Sequence, residues 1–204
     1  MHFLITVGGT REYIDPVRFI ANASSGKMGY ALACAALKAG HKVTLISASD
    51  LQPPVGMDFV GVESAQDMFN AVKKFFTKCD CLIMAAAVAD YAPVRPAKTK
   101  IRRTPRYLTL KLKPTPDILK WAGTHKKKNQ VVVGFALEDK KLRERAERKL
   151  KDKNLDMIIA NRPAAIGVDK STVEIKIHKC KWLKLPKVSK ATIAKKIISL
   201  AGSI

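Results

Sequence analysis

His2-Phe3-Leu4-Ile5-Thr6-Val7 runs directly into Gly8-Gly9-Thr10, and after a long connection the chain reads Ser24-Ser25-Gly26-Lys27-Met28-Gly29. A short apolar run that ends on glycines predicts a buried strand and a tight turn. The alanine-rich stretch Lys27–Ala39 predicts a helix, stopped by Gly40. Strand, glycine turn and helix open a doubly wound sheet, and the pattern continues outward from this unit. Lys42–Ser47, Asp58–Val62, Cys81–Ala87, Gln130–Ala136 and Met157–Ala160 read as strands. Ser64–Phe76 and Lys140–Lys153 read as helices between them, with Ser64 and Asp67 close to a capping box. This alternation predicts an α/β, Rossmann-like, mostly parallel sheet in a single domain spanning residues 1–204. Three segments depart from it. Val88–Arg106, with three prolines and many cations, reads as a flap, and Tyr107–Lys113 as a strand with one wet face. Thr115-Pro116-Asp117 reads as a helix start with Thr115 as N-cap. Thr172–His178 and Cys180–Leu185 predict a C-terminal hairpin, and Ser189–Leu200 a closing amphipathic helix.

The 204 residues carry 38 Lys+Arg against 17 Asp+Glu, a formal net charge of +21. Basic and acidic side chains balance over residues 1–90, so the whole excess falls on residues 91–204. That half should attract phosphates, a nucleic acid or another strong anion. Leu82–Ala89 is the longest apolar run and is too short to cross a bilayer, so no membrane partner is expected. The N-terminus has no basic leader and meets Gly8-Gly9 too soon for a signal peptide, which predicts a cytoplasmic protein. Cys34, Cys79, Cys81 and Cys180 make no zinc pattern and suit a reducing compartment.

In a doubly wound sheet, ligands bind beyond the carboxyl ends of the strands. The candidate stretches are therefore 8–26, 86–106, 135–139 and the residues after Ala160. Glycines allow close backbone approach, and a helix N-terminus offers free N–H groups with partial positive charge. Ser24, Ser25 and Lys27 add hydroxyls and a cation at such a start, which makes it a phosphate site in chemical terms. It is not a Walker loop, because Ala21 stands at the first glycine and Met28 follows the lysine. Nor is it a clean dinucleotide fingerprint, since a long excursion separates Gly8 from Gly26.

Several motifs, in order, resemble phosphopantothenate–cysteine ligase, the synthetase found in bacteria behind a flavin-dependent decarboxylase. They are Gly8-Gly9-Thr10-Arg11-Glu12, Ile14–Ile20, Asn22, Ser24–Gly29, Ala85–Tyr91, Pro116-Asp117-Ile118, Gly134-Phe135-Ala136 and Asp152–Asp156. The resemblance implies a stand-alone synthetase that joins 4′-phosphopantothenate to cysteine in coenzyme A synthesis. CTP would be the co-substrate, Mg2+ or Mn2+ the cofactor, and a homodimer the assembly. It also implies roles. Asn22 would stabilise the acyl-nucleotide intermediate, with Arg18 and Ala87 at the substrate. Gly8, Gly9, Thr10, Ser24, Ser25, Gly26, Lys27, Met28 and Gly29 would cradle phosphates. Met84, Ala85, Ala86, Pro116, Asp117, Ile118, Leu119 and Phe135 would contact the nucleotide, with Asp90 at the metal. Lys100 would act from the flap, and Lys149 and Lys153 at nucleotide phosphates.

The flap motif reads Lys100-Ile101-Arg102-Arg103 and the stretch after Gly134-Phe135 reads Ala136-Leu137-Glu138-Asp139, both departures from the family pattern. Thr115 stands where the family has Asn. The last two departures bear on CTP against ATP. Two other readings compete. Asp50 and a Tyr107-x-x-x-Lys111 pair would suit an NAD(P)-dependent oxidoreductase. The pI of about 10.0 and Lys126-Lys127-Lys128 would suit electrostatic nucleic-acid binding, without a recognition motif.

Overall fold

Strand β1 (His2–Gly8) has a parallel neighbour on each side, which is why its sequence is apolar at almost every position. The computed structural model describes residues 1–204. After β1 come a hairpin of β2 (Arg11–Asp15) and β3 (Arg18–Ala21), helix α1 (Lys27–Lys38), β4 (Lys42–Ala48), β5 (Asp58–Gly61) and α2 (Ala65–Phe76). Next are β6 (Cys81–Met84), β7 (Tyr91–Pro93), β8 (Leu112–Pro114) and α3 (Ile118–His125). The chain ends with β9 (Val131–Leu137), α4 (Leu142–Asp152), β10 (Met157–Asn161), β11 (Lys170–Ile177), β12 (Leu183–Ser189) and α5 (Lys190–Ala201).

The central sheet has the order β5-β4-β1-β6-β9-β10-β11-β12. The first six strands are parallel, and β11 and β12 are antiparallel additions at one edge. This is the expected Rossmann-like α/β architecture. Side chains of β1 alternate between two cores. Phe3, Ile5 and Val7 face α1 and α5, while Leu4 faces α2, α3 and α4. Phe3 is wholly buried, worth roughly 1.5–3 kcal/mol by its size. From β1 the chain passes through α1 to β4 on one side and returns to β6 on the other. The crevice at the carboxyl ends of β1 and β6 is thus the topological switch point. No helix is long and apolar enough to cross a membrane.

Four details differ from the sequence expectations. The connection before α1 holds the β2–β3 hairpin, turned by Asp15, whose Oδ1 accepts the N–H groups of Val17 at 3.0 Å and Arg18 at 2.9 Å. Strand β6 ends at Met84 rather than Ala87, because the ladder breaks where the Ala85 N–H donates to the Ile83 carbonyl at 3.2 Å and the Ala86 N–H to the Thr6 hydroxyl at 3.3 Å; Ala87 rejoins only as an isolated bridge to Gly9, donating to the Gly8 carbonyl at 2.8 Å. Tyr107–Lys113 is a strand only from Leu112, where β8 pairs with β7. Leu108, Leu110 and Leu112 all remain exposed, so the alternation there has no core to fold onto. Helix α3 is capped by Asp117 and not Thr115. The Thr115 hydroxyl is drawn to the Ala89 carbonyl at 2.6 Å, and the Asp117 carboxylate accepts the Lys120 N–H at 3.0 Å.

Candidate active site

Helix α1 begins without a side-chain cap and without an acidic residue in its first turn. Gly26 holds φ +69°, a left-handed conformation that a side chain would strain. A Cβ on Gly29 would sit 2.6 Å from the Val7 Cβ, so glycine there lets α1 lie directly on β1. The first-turn amides are thus aimed past the end of β1, with Ser24, Ser25 and Lys27 exposed around them.

These residues form one wall of a cleft of about 1010 Å³. The stretch Asn22–Gly29 and Met84–Val88 meet there, at the switch point. The Asn22 side-chain amide donates to the Val88 carbonyl at 2.9 Å, which orients the carboxamide across the opening and leaves its second N–H free. The opposite wall is the start of α3, Pro116 to Leu119, with Phe135 of β9 and two lysines of α4. Lys149 Nζ donates to the Phe135 carbonyl at 2.8 Å, and Lys153 Nζ pairs with Asp117 at 2.9 Å. Burial, then the neighbouring Lys153, lower the Lys149 pKa, while Asp117, Asp90 and Glu138 pull it back up. Burial raises Asp117, but the Lys120 N–H and Lys153 outweigh it and leave its carboxyl below the usual range. An incoming phosphate would relieve the Lys149–Lys153 repulsion.

Most of the residues singled out from sequence line this cleft: Asn22, Ser24 to Gly29, Met84 to Ala87, Asp90, Pro116 to Leu119, Phe135, Lys149 and Lys153. Gly8, Gly9 and Thr10 do not. Thr10 is wholly buried and its hydroxyl accepts the Ala89 N–H at 2.8 Å, so this turn supports the cleft wall from behind. Gly9 is backed against the Asn22 carbonyl, which a Cβ would meet at 2.7 Å. Arg18 and Lys100 also lie outside. Arg18 pairs with Asp15 at 2.6 Å, and Asp15 takes the N–H of Ile101, next to Lys100, at 3.1 Å. Tyr107 and Lys111 form no helical dyad and stand away from the cleft, and Asp50 pairs with Arg11 at 2.5 Å. The candidate stretches 135–139 and beyond Ala160 also reach the cleft, through Glu138, Asn161 and Ala165 to Gly167, to which the sequence assigns no role, and Lys190 lines it from outside every candidate stretch. Asn161 ends β10, so the rule about carboxyl ends was the signal that reached it. Lys190, at the start of α5, donates to the carbonyls of Ala165 and Val168 and holds that loop against the cleft.

No three His, Cys, Asp or Glu side chains gather into a protein-only metal site. Asp90 is exposed, lines the cleft and forms no ion pair. One free carboxylate could hold Mg2+ only together with oxygens from a bound ligand and waters, since Mg2+ takes one or two carboxylates with phosphates and waters.

A family model described as the DNA/pantothenate metabolism flavoprotein C-terminal domain matches residues 1–203. The coenzyme A biosynthesis bifunctional protein CoaBC of Bacillus subtilis is 44% identical over 203 residues, 97% of this chain and 50% of that protein. Its counterpart from Borreliella burgdorferi is 40% identical over 200 residues, covering 97% and 51%. The chain therefore spans about half the length of these curated relatives. A crystal structure of the C-terminal domain of CoaBC superposes with TM-score 0.84 at 40% identity, covering 98% of this chain and 92% of that one. The DNA/pantothenate metabolism flavoprotein from Streptococcus pneumoniae superposes at 0.87 with 25% identity, covering 100% and 99%.

Proposed function

Since the chain belongs to the family of the DNA/pantothenate metabolism flavoprotein C-terminal domain, we propose that it joins 4′-phosphopantothenate to cysteine through an acyl-cytidylate made from CTP. The observation that carries this reading is the pairing of the open α1 start and Asn22 with Lys149 and Lys153 across one cleft. A carboxylate and a triphosphate repel each other, and a reaction between them needs cations and amide donors on both sides. The pantothenate carboxylate oxygen attacks the α-phosphorus of CTP and pyrophosphate leaves. The cysteine amine then attacks the acyl carbon and CMP leaves. Asn22 stands beside the open amides, where its free N–H can meet charge developing on the mixed anhydride. Phe135 packs on the base, and Lys149 and Lys153 take phosphate charge. Asp90 would hold Mg2+, which supplies charge neutralisation at the phosphates.

The flap completes the site by closing, bringing Lys100 towards the phosphates. Val17 and Phe19 of the hairpin and Tyr91, Tyr107, Leu108 and Leu110 of the flap region are exposed. A second copy of the chain covering these apolar side chains makes the homodimer. A monomeric mass by light scattering at micromolar concentration would remove that part of the proposal. The reaction is tested by incubating the protein with Mg2+, phosphopantothenate, cysteine and either CTP or ATP. CMP, pyrophosphate and the amide product are expected with CTP. Turnover with ATP alone reassigns the nucleotide, and no product with either nucleotide refutes the ligase reading.

A further inference from the structure

The cleft absorbs little of the positive charge. Its cations are Lys27, Lys149, Lys153 and Lys190, and Lys27 and Lys153 are already paired with Asp169 and Asp117. A denser set lies at the opposite edge of the sheet. The register sets Cys81 of β6 beside Val131 of β9, and Met157 of β10 beside Val133 and Ile177. The loops that meet these strand ends, 77–80, 126–130, 154–156 and 178–182, therefore form one rim. Hydrogen bonds join them. Lys127 Nζ donates to the Thr77 carbonyl at 3.0 Å, Lys126 Nζ pairs with Asp156 at 2.6 Å, and the His178 N–H donates to the Asp156 carbonyl at 2.8 Å.

Lys78, Lys126, Lys127, Lys128, Lys179 and Lys181 stand on this rim, with Asp80 and Asp156 as its acids. Six lysines thus face two acids, of which Asp156 is already paired with Lys126. Asp156 also accepts the Val132 N–H at 2.7 Å, and Asp80 accepts the His2 N–H at 2.6 Å. Every rim lysine except Lys126 is exposed and forms no ion pair. Helix electrostatics explains part of the local charge. Lys73, Lys74 and His125 sit in the last turns of α2 and α3, where cations offset the helix dipole. That reason does not extend to Lys179 and Lys181, which sit on a hairpin turn between two strands.

From β6 to β11 the rim crosses three strand spacings, about 14 Å, enough for several phosphates of a polyanion. Its loops hold lysine and no arginine. Lysine contacts phosphate as a point charge, whereas arginine forks are the usual readers of guanine edges. None of the exposed large apolar side chains that would anchor a membrane contact lies in the rim loops. We propose that this rim binds the sugar–phosphate backbone of nucleic acid without regard to base sequence.

The test is fluorescence anisotropy of a labelled 20-nucleotide uridine homopolymer with the full chain, from 50 to 200 mM NaCl. Five phosphate contacts predict a slope of log K against log salt of about −3.5. Lys127→Glu/Lys128→Glu/Lys179→Glu/Lys181→Glu should weaken binding at least ~100-fold at the lowest salt. The matching Gln quadruple, which removes charge without reversing it, should also weaken binding at least ~100-fold at the lowest salt and bring the slope near −1. Melting temperature and any synthetase turnover should stay at wild-type levels in both, because these side chains are exposed and remote from the cleft. An adenosine homopolymer should bind within about threefold of the uridine one. The proposal is overturned if the wild type fails to bind, or if both quadruples bind as it does. Loss of binding in Arg102→Glu/Arg103→Glu, placing the contact on the flap, overturns it too, as does rim-dependent binding to phosphatidylserine vesicles with no binding to RNA.

Discussion

Helix α1 opens on Gly26, which offers its first-turn amides no side chain, whereas α3 opens on Asp117, whose carboxylate accepts the Lys120 N–H and pairs with Lys153. Both starts line the same cleft. A capped helix has already met part of its own demand for an acceptor, and an uncapped one presents that demand to whatever enters. The α1 wall is therefore the side prepared for an anion by the backbone. The α3 wall answers with side-chain cations, Lys149 and Lys153, held in place by Phe135 and Asp117.

The strongest way to break this comparison is at Asn22, the side chain next to the open turn. Asn22→Ala should lower amide formation by ~10²- to 10³-fold, the usual cost of losing a donor to developing charge. CTP affinity, measured by equilibrium dialysis, should stay within about twofold. Normal turnover would mean that Asn22 only shapes the turn through Val88. A second substitution makes the two helices alike. Met28→Glu places an acid in the first turn of α1, where the helix dipole favours it by about 0.3–1 kcal/mol but the packing of Met28 on the core is lost, so the ligand-free melting temperature should change little. The same carboxylate should weaken Mg–CTP binding ~10-fold, so the ligand-induced rise in melting temperature shrinks. An undiminished ligand-induced rise would place the triphosphate away from α1. The converse change, Asp117→Ala, removes the α3 cap and should cost about 1 kcal/mol in denaturant unfolding. Asp117→Asn should restore most of that, because an amide oxygen still caps. An equal loss in both would show that the Lys153 pair, and not the cap, is what Asp117 contributes.

The parallel sheet and the open helix start were legible because each has a local signature: β1 is apolar throughout, Gly40 stops α1, and Gly26 and Gly29 sit at fixed offsets from the helix start. The residues that were misplaced depend on distant partners. Thr115 reads as a cap until the Ala89 carbonyl, far away in sequence, takes its hydroxyl. Gly8, Gly9 and Thr10 read as a phosphate turn until the returning segment Ala87–Ala89 packs over them. Leu108 and Leu110 alternate like a half-buried strand, yet they have no core to face. The same limit hid the β2–β3 hairpin, although Asp15-Pro16 marks its turn and Tyr13 meets Phe19 edge-on at 5.5 Å between ring centres.

That hairpin and the flap lead into α1 and α3 respectively, and Asp15 clasps one to the other. Its carboxylate is fully enclosed and accepts from the Val17, Ile101 and Arg18 amides and the Arg18 guanidinium. Burial alone would raise its pKa, but these donors outweigh burial and hold it at about 2, against an ordinary 3.8. Because the folded value is the lower one, the clasp contributes its full stability above about pH 4 and loses it as pH falls towards 2. The carboxyl carbon resonance of Asp15 should therefore titrate with a midpoint near 2. In Asp15→Asn the acid limb of the stability curve should flatten, and the flap around Ile101 should exchange its amide faster, while the α1 amides keep their wild-type rates. A midpoint near 3.8 would show that the flap is not held by this carboxylate. If exchange rose at α1 as well, the two lead-ins would be one mechanical unit, and the contrast between the helix starts would need to be drawn for hairpin and flap together.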